Sequence, residues 1–107
     1  MDLVNNDLRA LIEKHVHSLK RDGAAILEIL DGPYPDPEHL WPLTHKFKGG
    51  AGTIGFQQIH AAAQNLHAAV KSRAAQQRPI DAECRQLAEQ FRLLLEDLRP
   101  EHSALLS

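Results

Sequence analysis

The run Thr44-His45-Lys46-Phe47-Lys48-Gly49-Gly50-Ala51-Gly52-Thr53-Ile54-Gly55 holds the residues best suited to chemistry. On a helix, Leu43, Phe47, Ala51 and Ile54 share an inward face. His45 lies about 200° around the helix from Phe47 and so points outward. Trp41, Lys48, Gly49 and Gly52 fall on the side of His45. An outward imidazole can serve as a nucleophile without leaving its scaffold, and it is substantially neutral near pH 7. Lys48, one turn on, can reach the oxygens of a phosphoryl group held there and stabilise the developing anion. Lys46 adds positive charge that could steer an acidic partner. Gly49 and Gly52 remove side chains that would block an approaching surface. Glycines weaken a helix, so several beside one histidine point to a purpose beyond folding.

Four stretches of helical periodicity can position this histidine, and strand-like alternation is weak. The first runs from about Val4 to Leu30, with the stripe Leu8, Ile12, Val16, Leu19, Ile26 and Leu30. Asn5 and Asn6 suit its N-cap. Gly23 marks a possible kink or break into two helices. Asp31-Gly32-Pro33-Tyr34-Pro35-Asp36-Pro37 is a linker. Asp36 then caps a second helix with Pro37 at its first position. Pro42 disturbs that helix, which must start nearer Leu40 or bend. It ends at Gly55, a C-cap. The third helix runs from about Phe56 to Ser72 with Phe56, Ile59, Ala63, Leu66 and Val70 as its seam. Asp81 caps the fourth, whose stripe is Ile80, Cys84, Leu87, Phe91, Leu94 and Leu98, and Pro100 ends it. The expected fold is all-α, an antiparallel up-down four-helix bundle in a single domain spanning residues 1–107, ordered from about 4 to 99 with a frayed tail.

Composition narrows the function classes. The chain has 107 residues, a formal charge of -2 and one cysteine. One domain fits and two do not. A single cysteine forms no intramolecular disulfide. No strongly basic face suggests nucleic acid, and no apolar run is long enough for a membrane helix. The start lacks the pattern of a signal peptide, so a cytoplasmic protein is expected. Seven histidines are a surplus that admits chemistry or metal. His60 and His67, seven residues apart, are about 10 Å apart along one helix and too far for one ion. His15, His17, His39 and His102 form no chelating pair, and matched Glu-x-x-His motifs are missing. No metal ligand or cofactor-binding residue is assigned on these grounds. Cys84 fits a buried small apolar residue.

The run from His45 to Gly55, with Ile59, Ala63 and Leu66 downstream, closely resembles the histidine-containing phosphotransfer (HPt) domain of two-component phosphorelays. The family pattern is His, any residue, an apolar residue, Lys, Gly, then small residues leading to an apolar residue and Gly. The match covers roughly Leu40 to Val70. The resemblance implies a carrier that accepts a phosphoryl group on His45 from a receiver aspartate and passes it to another receiver. His45 would be phosphorylated, Lys48 would stabilise the phosphoryl group and Gly49 would give access. Such a carrier is stoichiometric and not an enzyme. It needs no cofactor, and the divalent metal belongs to the receiver. The implied partners are receiver domains of response regulators or of a hybrid sensor histidine kinase, met by a monomer at a surface including Trp41, Lys46 and Gly52. His67 stands where the family has Glu or Gln, the residue that orients the active imidazole. Neutral His67 could do the same through either ring nitrogen. The alternative is that it merely sits on the bundle surface. Trp41 fits either a core position or an apolar rim beside His45. The opening methionine and short tail favour a free-standing chain over the end of a hybrid kinase. Two other readings compete: a docking module of the same shape without phosphotransfer, and a histidine-rich metal-binding bundle.

Overall fold

The structure is a computed structural model that describes residues 2–106, with side chains from residue 6 onward. It contains four helices and no strand among the described residues: α1 (Asp2–Asp31), α2 (Pro37–Thr53), α3 (Gln57–Ala75) and α4 (Ala82–Glu96). Each helix packs on its neighbours in sequence, and α4 closes the ring onto α1. Short connections make those neighbours antiparallel, which gives the up-down four-helix bundle. The contact between α2 and α3 is the most extensive. No helix of the described residues is long and apolar enough to cross a membrane.

The longest helix, α1, has 30 residues against 17 for α2. At 1.5 Å per residue that is about 45 Å against about 25 Å. The bundle is accordingly elongated, 52 × 20 × 18 Å. Asn5 and Asn6 lie inside α1 and do not cap it, because the helix already begins at Asp2. Gly23 neither breaks nor ends it. The glycine has a packing reason instead: a Cβ there would come within 2.5 Å of Leu95 Cδ2 on α4. The missing side chain is the space that Leu95 occupies.

Asp36 caps α2, its side chain accepting from the Glu38 amide at 3.0 Å, with Pro37 at the first helical position. The helix therefore starts at Pro37 and carries Pro42 in its interior. The first helical bonds, from the His39 and Leu40 amides to the Asp36 carbonyl, close before the proline is reached. Pro42 has no N–H and so cannot donate to the Glu38 carbonyl. At the other end, Gly55 adopts φ +85°. The Phe56 amide reaches the Ala51 carbonyl at 2.9 Å and the Gly55 amide reaches Gly52 at 3.1 Å. That is a Schellman close, and it turns the chain directly into α3. The end of α3 repeats the motif with Gln77, a non-glycine at φ 53°. Asp81 caps α4 through the Cys84 amide at 3.2 Å and also binds buried Arg73 at 2.8 Å. The Arg73 guanidinium holds the Asp81 carboxyl well down, to about 2.

The core is lined by Ile12, Val16, Leu19, Ile26, Leu30, Leu40, Phe47, Ile59, Leu66, Val70, Cys84 and Phe91. Phe47 and Phe91 meet edge-on at 4.8 Å across it. Free Cys84 is buried, and burial pushes its thiol pKa up. On α4 the buried stripe is Cys84, Ala88, Phe91 and Leu95. Leu87 and Leu94 are only half-buried, so the face is turned slightly from the expected one.

The tail departs from expectation. Residues 100–106 form two single-turn 3-10 helices folded back over the turn between α2 and α3. Buried Ser103 donates its hydroxyl to the Ile54 carbonyl, and the Ala104 amide binds the Gly55 carbonyl at 2.9 Å. Arg9 and Glu101 tie the same segment to α1. Carbonyls freed where a helix ends need donors, and the tail supplies two. Ser107 lies outside the described residues.

Candidate functional site

The site lies on the face shared by α2 and α3. The buried side of α2 is Leu40, Thr44, Phe47 and Ala51, with Ile54 at its end; Leu43 is half-buried. His45 follows Thr44 and is exposed, as the spacing predicted. Lys46 is exposed, and Lys48 is half-buried. At Gly49 a Cβ would meet nothing within 4 Å. The fold does not need a glycine at that position, so its bare backbone is open to an approaching surface.

Gly52 is different. A Cβ there would lie 2.9 Å from His60 Nδ1, and that nitrogen donates to the Lys48 carbonyl at 2.7 Å. Packing of His60 therefore explains Gly52, whatever meets this face. Nothing in the α2 sequence signals it, because His60 comes from α3.

His67 is not a surface residue: it is 6% exposed on α3, facing α2. Its ring centroid is 5.3 Å from that of His45, tilted by 48°. His67 Nδ1 lies 3.1 Å from the Trp41 carbonyl oxygen and 3.0 Å from Thr44 Oγ1. The Thr44 hydroxyl donates to the same Trp41 carbonyl at 3.0 Å. A carbonyl can only accept, so Nδ1 carries the proton and Nε2 carries the lone pair of the neutral ring. No buried side-chain nitrogen or oxygen of the described residues lacks a partner, so Nε2 is at the solvent-facing edge of the ring. Burial lowers the His67 pKa, the charge of Lys48 lowers it further, and the Trp41 carbonyl opposes them; His45 and Lys71 add smaller lowering effects. The pocket thus favours the neutral form of His67.

Trp41 is half-buried against the core, its ring 6.3 Å from that of His67. Lys71 Nζ stands over the indole, 5.6 Å from its centroid. Trp41 therefore packs partly against the core while leaving part of its ring at the surface. Lys71 and Thr44 were not singled out from sequence. Lys71 lies four residues after His67, on the same α3 face, and that spacing could have found it. Thr44, a polar residue inside an apolar stripe, was the other available signal. Together these side chains set one exposed imidazole beside one buried imidazole, with the charges of Lys48 and Lys71 acting on the buried ring and bare backbone at Gly49. Among the described residues, no three His, Cys, Asp or Glu side chains are grouped to hold a metal ion.

The family model described as the Hpt domain matches residues 2–101. The chain belongs to the Hpt-domain family. It is therefore a phosphotransfer module of two-component signalling, a family whose members interact with receiver domains. The match extends well beyond the Leu40 to Val70 stretch that carries the sequence resemblance. No curated protein and no solved structure matched the chain.

Proposed function

We propose that this Hpt domain carries a phosphoryl group on His45, taking it from a receiver aspartyl phosphate and giving it to a second receiver. The observation that carries the reading is the exposed His45 ring set against buried His67, one helical turn before Lys48 and open Gly49. In the transfer, the Nε2 lone pair of His45 attacks phosphorus. A nitrogen–phosphorus bond forms as the acyl-phosphate oxygen–phosphorus bond breaks, and the receiver aspartate leaves as a carboxylate. The proton of His45 stays on Nδ1, where the Nε2 lone pair of neutral His67 is available to accept it. This makes His67 the positioning residue that Glu or Gln is in the family pattern. Lys48 stabilises the equatorial oxygens as charge builds. Gly49 lets the receiver backbone approach. Trp41 and Lys46 lie on the docking face, and an acidic receiver would be steered by the local positive charge.

In this reading the chain is a stoichiometric carrier. The receiver supplies the divalent metal and the acidic pocket. Its partners are receiver domains of response regulators, of a hybrid sensor kinase, or of both. The test is transfer from a phosphorylated receiver to the parent and to His45→Gln. Acid-labile, base-stable phosphate on the parent and none on the variant is expected. Equal labelling of the two proteins would displace His45 from the role. Tight receiver binding without phosphate capture would leave only docking.

A further inference from the structure

The two imidazoles at the site come from different helices. Spacing along one helix, the usual sequence sign of a chelating pair, therefore cannot reveal them. We propose that His45 and His67 together form a binding site for one imidazole-preferring transition-metal ion, of the zinc(II) or copper(II) class, and that this ion blocks the His45 nucleophile.

The ring separation fits. A zinc ion sits about 2.0–2.1 Å from an imidazole nitrogen, hence about 3.2 Å from the ring centroid. Two imidazoles at a tetrahedral angle about one ion then have centroids about 5.2 Å apart. The observed separation is 5.3 Å. The lone pairs fit as well. His67 Nδ1–H is committed to the Trp41 carbonyl, which leaves Nε2 as the metal-facing atom. A carbonyl on the far nitrogen of a ligating histidine is the usual outer support, fixing both tautomer and ring orientation. The supporting carbonyl and Thr44 belong to α2, and His67 belongs to α3, the most extensively packed pair of helices. His45 is exposed and can turn its ring to complete the pair.

The surroundings select the metal. Lys48 and Lys71 place positive charge near the pair. Hard cations bound mainly by electrostatics, such as magnesium and calcium, are therefore disfavoured. Ions with a strong preference for imidazole nitrogen tolerate that field better. No third His, Cys, Asp or Glu among the described residues completes the set, so water fills the remaining positions. Such a two-ligand site binds reversibly and is not that of a resident structural metal.

The consequence follows from electron count. A neutral imidazole has one ring lone pair. A metal on either nitrogen of His45 uses it, and no lone pair is then left to attack phosphorus. This consequence rests on the phosphocarrier reading; the metal site itself does not.

The experiment starts from chelator-stripped protein in a non-coordinating buffer, titrated with zinc chloride and followed by calorimetry and by histidine ring NMR. One ion per chain is expected, with the His45 and His67 ring signals moving first. His45→Gln and His67→Gln should each weaken binding at least about tenfold. His39→Gln and His102→Gln should not. Zinc binding that is unchanged in His45→Gln would overturn the site. His45 is on the surface, so that arm holds even if His67→Gln folds poorly. Saturating zinc should then stop phosphate arriving on the chain, with a chelator restoring it and the receiver's own zinc response measured separately. Continued transfer by the zinc-loaded protein would overturn the block. Failure of the metal-free protein to accept phosphate would count against the carrier reading, and the titration would still decide the site.

Discussion

Gly49→Ala should make this protein more stable and a poorer phosphate acceptor. The position is inside α2, where glycine is about 0.8–1.0 kcal/mol less favourable than alanine. A new Cβ would meet nothing within 4 Å, so no strain offsets that gain. For a domain of about 100 residues, 1 kcal/mol corresponds to roughly 4 °C in Tm. Gly52→Ala is the control on the same helix. It has the same intrinsic gain, but its Cβ lands 2.9 Å from His60 Nδ1 and disturbs the bond from that nitrogen to the Lys48 carbonyl. Losing one such hydrogen bond costs about 1 kcal/mol, which cancels the gain. Urea unfolding followed by far-ultraviolet circular dichroism measures both variants, with a two-state fit. The receiver transfer assay measures function. A destabilised Gly49→Ala would mean that the fold itself requires the glycine. A stabilised variant with an unchanged transfer rate would mean that openness at residue 49 serves no approaching partner.

Four further outcomes are expected. Gly23→Ala should lose about 1–3 kcal/mol by overpacking against Leu95, despite its better helix propensity. Adding Leu95→Ala should give a double-mutant coupling of at least about 0.5 kcal/mol. Asp81, whose carboxyl is held at about 2, should make the protein lose stability as pH falls from its usual value near 3.8 through about 2. Its folded pKa is depressed, so the contribution is complete above the unfolded value; acid titration of Asp81→Asn should lack that fall. Ser103→Ala leaves the Ile54 carbonyl without its hydroxyl donor and should cost about 1–3 kcal/mol, read by urea unfolding. Gln77→Gly relieves a left-handed backbone position and should raise stability by about 1 kcal/mol in the same assay.

The helices were legible because each has a strong local pattern. The seam Ile59, Ala63, Leu66 and Val70 is buried as its 4-3-4 spacing requires. The caps Asp36, Asp81 and Gly55 act where their chemistry placed them. His45 projects outward because Phe47, two residues away, must point in. Those are short-range facts, set by the period of the helix and by the capping of its ends.

What the sequence could not show was anything set by one helix against another. Gly23 looked like a possible break and proved to be a socket for Leu95. Gly52 looked like part of a cleared path, and its missing side chain also makes room for His60 from the next helix. The tail looked loose, but Ser103 and Ala104 satisfy carbonyls at the turn between α2 and α3. Most of all, α2 and α3 bring Trp41, Thr44 and Lys48 around His67 and set that ring beside His45. The sequence by itself determined a four-helix bundle with an exposed histidine. Only the packing of α2 on α3 decided what surrounds that histidine, because a side-chain pocket depends on the relative rotation and height of two helices, which no single helical period contains.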